Sequence, residues 1–387
     1  MILTSLPRTV IVLGLVSLLN DAASEMIAPL LPFFLTTTLG AGPVVVGLIE
    51  GVAEATSSLL KLVSGWLADR GWSSKHLVVG GYTLSNMTRP LIGLAFTWSW
   101  VLLLRFSDRV GKGLRTAPRD AMIAGAVDNK VRGRAFGFHR AMDHAGAMIG
   151  PLLAFALLQS EVELRHVFLM SIIPGILVVL LLIFGVTATT PATATPSPQR
   201  LSWSALDRRL RGLILSTGGL AFAAAPEVFL VLWAQAHGLA IVWIPLLWAA
   251  AHAVKGAVAI PMGSFSDRAG RLPVVIIGWC VRIVMLTLLA TNNDNIAMIW
   301  FLFLAYAGAL ASTEGAERAL IGDFAPREQK ATAFGLYHML TGILALPGAV
   351  LFGAIWQWFG MTPAFLTAAG LTTLSTIMLL FQYQNKG

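Results

Sequence analysis

A six-residue cluster occurs twice in this chain, each time at the end of a long apolar run: Gly65-Trp66-Leu67-Ala68-Asp69-Arg70 and, 198 residues later, Gly263-Ser264-Phe265-Ser266-Asp267-Arg268. A second island, Ala135-Phe136-Gly137, returns as Ala333-Phe334-Gly335 with the same offset. Two islands that share one offset constrain the chain to two copies of one structural unit. Composition says what that unit sits in: 56% of residues are hydrophobic, only 12% are charged, and the mean hydropathy is +0.76. A soluble domain does not have this balance, and a polytopic membrane protein does.

A helix needs about 20 apolar residues to cross a bilayer. Apolar runs fall near residues 9–36, 43–67, 77–97, 99–123, 134–158, 167–187, 209–236, 240–266, 272–291, 296–322, 331–357 and 361–382. The sequence therefore predicts an all-α polytopic membrane protein with about twelve transmembrane helices in two six-helix bundles. The first run carries Asn20, Asp21 and Glu25 and is long for a signal peptide, so it reads as the first span. Residues 1–187 form the first bundle and 207–387 the second. Between them, residues 188–206 replace the apolar pattern with Pro, Thr and Ser, the composition of a flexible connector.

The net charge of +8 resides mainly in alternate connections: Arg8, Arg70 with Lys75, Lys130 with Arg132 and Arg134, Arg200 with Arg208, Arg209 and Arg211, Arg268 with Arg271, Arg327 with Lys330, and Lys386. Arg165 is the main exception. Positive loops stay on the cytoplasmic side, so both termini are expected there, in a bacterial inner membrane. No basic tail or patch remains for nucleic acid. The single cysteine, Cys280, excludes an internal disulfide framework and has no partner at metal-ligand spacing. No His-Glu-x-x-His, Gly-x-Ser-x-Gly or Walker-type phosphate loop is present, which argues against an enzyme and against ATP as the energy source.

Three local patterns resemble the major facilitator superfamily, and the likeness extends over essentially the whole chain. The two Gly-x-x-x-Asp-Arg segments, followed by Lys75 and Arg271, resemble its loop motif between the second and third helices and the echo between the eighth and ninth. Arg105-Phe106-Ser107-Asp108-Arg109-Val110-Gly111-Lys112-Gly113 resembles its fourth-helix motif, with Asp108 where Gln is usual, Arg109 where Gly is usual and Lys112 at a position usually small. Gly146-Ala147-Met148-Ile149-Gly150-Pro151 resembles the fifth-helix motif associated with antiporters. On physical grounds Gly146, Gly150 and Pro151 serve close helix packing as readily as an antiport role. Asp69, Arg70, Asp267 and Arg268 read either as a cytoplasmic gate or as static loop salt bridges.

Charge inside the spans marks the pathway, because an ionised group at the bilayer centre costs about 2.5–3.5 kcal/mol unless it is paired or wetted. Arg105, Arg109, Lys112, Arg115 and Arg119 recur at spacings of three or four on one side of a helix. With Asn20, Glu50, Glu54, Arg89, Glu227, His252, Lys255, Arg282, Glu314 and Arg318 they form the candidate substrate cavity. Asp21, Glu25, Asp143 and His139 are candidates for proton coupling, since a coupling group must load on one side and release on the other. The rival reading makes them structural ion pairs and satisfied polar groups.

The antiporter-like motif implies a proton-coupled secondary transporter that works by alternating access, as a monomer without cofactors, and exports a small amphipathic or toxic compound. The arginines leave open an importer or proton symporter of an anionic molecule such as an organophosphate, carboxylate or siderophore. A metal-ion carrier using His139, Met142, Asp143 and His144 is a third reading, although these residues match no known ligand spacing. Trp233, Trp243, Trp248, Phe222 and Phe229 read as an apolar wall, as packing or as interface residues.

Overall fold

The computed structural model describes residues 6–70, 72–128, 131–186, 203, 206–291, 295–325 and 330–384. Of the expected connector at 188–206, only Trp203 and Leu206 lie among the described residues. Fifteen α-helices follow in chain order: α1 Arg8–Glu25, α2 Leu31–Phe33, α3 Pro43–Asp69, α4 Ser74–Leu91, α5 Trp98–Gly125, α6 Arg132–Gln159, α7 Leu164–Met170, α8 Ile172–Gly185, α9 Arg208–Phe222, α10 Glu227–Ala236, α11 Ile244–Ala269, α12 Arg271–Thr291, α13 Ile296–Phe324, α14 Lys330–Phe359 and α15 Met361–Gln384. No strand occurs among the described residues. Joining α1 with α2, α7 with α8 and α9 with α10 reduces fifteen helices to twelve runs.

Nine of these runs are long and apolar enough to cross a membrane among the described residues. The three that are not begin with α1, α4 and α5. Each has a physical reason: α1 carries Arg8, Asp21 and Glu25, α4 carries Lys75 and Arg89 among many small polar residues, and α5 carries five basic side chains from Arg105 to Arg119 together with Asp108 and Asp120. These three charged helices meet one another at the polar site of the first unit, to which α6 also contributes. Elsewhere large apolar side chains such as Ile173, Phe184, Ile277, Phe301 and Leu374 are exposed, as expected where lipid is the solvent. The chain is an integral membrane protein.

Contacts group the chain into two compact units, Met1–Leu39 with Thr56–Pro198, and Gly40–Ala55 with Gln199–Gly387. In the first, α1 packs on α6 and α8, and α4 packs on α5 and α8. In the second, α9 packs on α14 and α15, and α12 packs on α13 and α15, which is the same set of partnerships one repeat later. The cores repeat as well. Met122, Ile123 and Ala135 in the first core correspond at the 198 offset to Leu320, Ile321 and Ala333 in the second. In the second unit the first half of α3 lies on α14, where a Cβ on Gly51 would meet the Leu346 backbone at 2.8 Å.

The first helix of each unit is interrupted at matching positions. Helix α1 ends at Glu25, and Pro29 cannot donate to the Glu25 carbonyl four residues back. Helix α9 ends at Phe222, and Pro226 caps α10. Glu25 ends the helix before one break and Glu227 begins the helix after the other, so each unit places a carboxylate beside an interrupted helix. Interrupted helices at matching places in two repeats are where membrane transporters expose polar backbone to a ligand.

Close approach of helices sets the remaining geometry. A Cβ on Gly150 would press on the Ala22 carbonyl of α1, and one on Gly348 would press on the Phe222 carbonyl of α9. Gly137, on the same α6, has open space where a Cβ would stand. Gly150→Ala and Gly348→Ala are therefore expected to destabilise the protein by about 1–3 kcal/mol through overpacking, while Gly137→Ala is neutral or slightly stabilising. Thermal unfolding of the detergent-purified variants checks this; equal effects at all three positions would contradict the close-packing account.

Candidate functional site

In the first unit Gly81 and Gly111 face each other, and a Cβ on Gly81 would meet the Gly111 carbonyl at 2.6 Å. This lets α4 and α5 touch through backbone and brings Arg89 of α4 onto Asp108 of α5. Asp108 is fully buried and Arg89 is 3% exposed. Arg89 Nε donates to Asp108 Oδ1 at 2.9 Å, and Arg105 and Arg109 lie 3.7 and 3.8 Å from the other carboxylate oxygen. One acid thus holds three guanidinium groups in a medium where a lone charge is costly.

The network continues into α1. Arg89 Nη1 donates to the Asn20 carbonyl at 3.1 Å and to Asn20 Oδ1 at 3.0 Å, and Asn86 Nδ2 donates to the same oxygen at 3.3 Å. Asn20 Nδ2 in turn donates to Asp21 Oδ1 at 2.9 Å. Asn20 therefore couples the Arg89–Asp108 pair to the half-buried Asp21. On the other side, Arg115 Nη1 donates to Ser85 Oγ at 2.7 Å, Ser85 donates to the Asp108 carbonyl at 2.9 Å, and the Arg115 guanidinium stacks 4.2 Å from the Tyr82 ring centre. Arg119 pairs with its neighbour Asp120 at 2.8 Å.

A second acidic group stands on α6. Ser17 Oγ donates to Asp143 Oδ1, and His139 Nδ1 lies 3.5 Å from Asp143 Oδ2. His139 is 4% exposed and its Nε2 has no hydrogen-bond partner. Asp21 is an electrostatic neighbour of Asp143, Glu25, Lys112 and Arg115. Gly146 makes this proximity possible: a Cβ there would press on the Leu18 carbonyl and stand 3.0 Å from Asp21 Cβ. Gly146 and Gly150 thus line the contact of α6 with the stretch of α1 that carries Asn20, Asp21 and Glu25. Pro151 lies buried within α6.

The second unit has a different pattern. Lys255 Nζ donates to Glu227 Oε1 at 2.5 Å, and Trp248 lies 5.7 Å from the His252 ring. Arg282 is buried and faces the Tyr306 side chain. Trp279 Nε1 donates to the buried Glu317 at 2.7 Å, tying α12 to α13, and Glu314 pairs with Arg318 at 2.6 Å on the exposed side of α13. Glu50 and Glu54 lie on the stretch of α3 that groups with this unit, half-buried and exposed respectively. Phe229 and Trp233 are fully buried in packing, with Phe229 4.9 Å from Phe352 and Trp233 Nε1 donating to the Leu289 carbonyl at 3.0 Å.

The Asp69 side chain lies outside the described residues, and Arg70 is exposed at the end of α3. Asp267 is engaged inside its own unit: Arg271 Nη2 donates to it at 3.1 Å, and Arg271 Nη1 also donates to Asp323. Arg268 is exposed. Sequence reasoning passed over Ser17, Tyr82, Ser85, Asn86 and Tyr306. Ser85 and Asn86 stand four and three residues before Arg89 on one helical face, and Tyr306 occupies the repeat position of Asp108, since 108 plus 198 is 306. Among the described residues no group of three His, Cys, Asp or Glu side chains converges as metal ligands.

Two related units of membrane-spanning helices, each with charged side chains held inside and a broken first helix, define a membrane solute transporter. The Major Facilitator Superfamily model matches residues 13–256 and 247–386, and the chain belongs to that family. An uncharacterised MFS-type transporter of Methanocaldococcus jannaschii is 31% identical over 383 residues, covering 97% of this chain and 95% of the relative. A probable 4-methylmuconolactone transporter of Cupriavidus pinatubonensis is 28% identical over 73% of this chain and 69% of its own. A bacterial homologue of the human lysosomal transporter Spinster, inward-facing and occupied, superposes with a TM-score of 0.81 at 17% identity, covering 97% of this chain and 96% of that one, which supports the same fold. The protein is a transporter and not an enzyme.

The Arg89–Asp108 pair makes a stability prediction. Asp108→Asn leaves buried guanidinium groups without their acid and is expected to cost about 3–5 kcal/mol. Adding Arg89→Gln should restore part of that loss. A double-mutant cycle from thermal unfolding in detergent measures the coupling; additive effects would mean the pair is not an energetic unit.

Proposed function

We propose that this protein is a proton-coupled secondary transporter that works by alternating access and exports a small amphipathic compound. The observation that carries the coupling is the Ser17–Asp143–His139 cluster on α1 and α6, set beside Asp21. Two carboxylates in electrostatic reach of each other repel when both are ionised, and a proton bound between them removes that repulsion. His139 Nδ1 is turned toward Asp143, and its buried Nε2 has no hydrogen-bond partner.

The cluster sits on the Gly146/Gly150 contact, beside the break in α1. Movement of α1 on α6 would therefore alter Asp21, Asp143 and His139 together, which is what coupling requires. Outward transport is favoured by the resemblance of the Gly146–Pro151 segment to the antiporter motif. A small organic substrate is favoured by the relative named for 4-methylmuconolactone. The termini are read as cytoplasmic from the distribution of Lys and Arg among the loops.

Purified protein in proteoliposomes carrying a preformed pH gradient tests this reading. A transported compound should dissipate the gradient in the wild type. Asp143→Asn and Asp21→Asn should each slow proton-coupled flux by about tenfold or more while substrate exchange without a gradient persists. Unchanged flux and unchanged pH dependence in both variants would remove the coupling role.

A further inference from the structure

Arg89 and Arg282 stand on corresponding helices of the two units, α4 and α12, and both are buried. Arg89 faces Asp108 on α5. Arg282 faces Tyr306 on α13, and Tyr306 occupies the position of Asp108 one repeat later. The second unit therefore has a phenol where the first has Asp108, and its buried arginine stands five residues before Thr287, the repeat position of Arg89. Among the described residues no carboxylate lies within ion-pair distance of Arg282. The nearby carboxylate, Glu227, is held by Lys255 at 2.5 Å. Arg282 Nε and Tyr306 Oη are both buried without a hydrogen-bond partner.

The charge count at this cluster is two cations, Arg282 and Lys255, against one carboxylate, Glu227. A buried guanidinium without an acid is a standing cost to the folded protein, and costs of this kind persist where a ligand removes them. The missing element is one negative charge that can accept two parallel N–H donors, which is the geometry a guanidinium offers to a carboxylate or phosphate. The Tyr306 hydroxyl adds a third donor beside it.

We infer that Arg282, with Tyr306 beside it, is the recognition point for an oxyanion on the transported molecule, either a carboxylate or a phosphate-type group. This rests on the transporter reading and adds the chemistry of the substrate's polar end: the amphipathic cargo is an organic anion. Arg89 has no such role because Asp108 already satisfies it. Lys255 does not compete for the anion because Glu227 neutralises it.

Four probes of similar size separate the possibilities: 4-phenylbutyrate, phenyl phosphate, 4-phenylbutyramide and 4-phenylbutylamine. Binding to wild-type protein in nanodiscs is read by thermal shift, and counterflow is read in proteoliposomes. At least one of the two anions should bind and exchange, with the amide and amine at least about tenfold weaker, and the preferred anion tells carboxylate from phosphate. Arg282→Gln should lose about tenfold or more in affinity for that anion. Tyr306→Phe should lose less, and Arg282→Lys should fall between, since it keeps the charge without the fork. Stability without any ligand gives a second readout: Arg282→Gln should raise the unfolding midpoint, whereas Arg89→Gln lowers it. Exchange of the amide or amine but neither anion overturns the inference and leaves transport intact. A lower midpoint in Arg282→Gln, with anion affinity unchanged in Arg282→Lys, also overturns it. No exchange of any probe in either direction of loading counts against the small-organic-molecule reading itself and takes the inference with it.

Discussion

A carboxylate at the centre of a helix bundle in a membrane is tolerated only when its charge is met, and Asp108 meets three guanidinium groups at once. Its position depends on Gly81 and Gly111, which let α4 and α5 approach until Arg89 can reach across. Without that approach the two side chains would each be buried alone, and the cost of each would fall on the fold. The polar network from Ser85 through Arg115 and from Asn20 to Asp21 extends from this pair. Charge placement and helix packing are thus one problem in the first unit, solved by small residues at the seam.

The same seam in the second unit is solved by different chemistry. Trp279 and Glu317 link α12 to α13 through a hydrogen bond of 2.7 Å, in the region where α4 and α5 are linked by Arg115, Ser85 and Tyr82. Helix partnerships and core positions such as Ala135 and Ala333 survive the duplication, because each side chain there touches several helices and a change disturbs all of them. Charged positions diverged, because a polar group needs a single well-placed partner and the partner can change with it. Scaffold conserved between halves and charge pattern altered between them is the expected outcome when packing is shared and ligand contacts are not.

Much of the architecture was legible in the residues. The 198-residue offset found the duplication, and apolar run lengths found the helices, because both signals are properties of one chain segment at a time. The tight role of Gly150 against the Ala22 carbonyl was half legible: spacing pointed to packing, but not to which helix would be met. Pairing was not legible at all. Arg89, Arg105, Arg109 and Arg115 read as one basic stripe and a neighbour, yet one acid within that stripe, Asp108, lies within 4 Å of three of them and hydrogen-bonds Arg89. Sequence spacing reports which groups share a helix face and says nothing of the face opposite, and so Ser85 and Asn86, polar but uncharged, were passed over, while Asn20 was marked without its partners. The breaks near Pro29 and Pro226 were not read from the residues, because a proline inside an apolar run does not by itself say that the helix stops there.

The division of labour between the two arginines follows from this chemistry. An arginine with a permanent acid contributes to the folded state and is unavailable to a ligand, since any incoming anion must displace Asp108 and leave it buried. An arginine beside a tyrosine keeps its charge in reserve, at a cost to the empty protein that a bound anion offsets. Placing the neutralised arginine in one unit and the unneutralised one in the other lets the first hold the scaffold while the second stays responsive. For a protein that must release its cargo on every cycle this asymmetry has a further use: the anion's departure returns the second unit to a less stable state, so binding energy is linked to conformation and not merely to affinity.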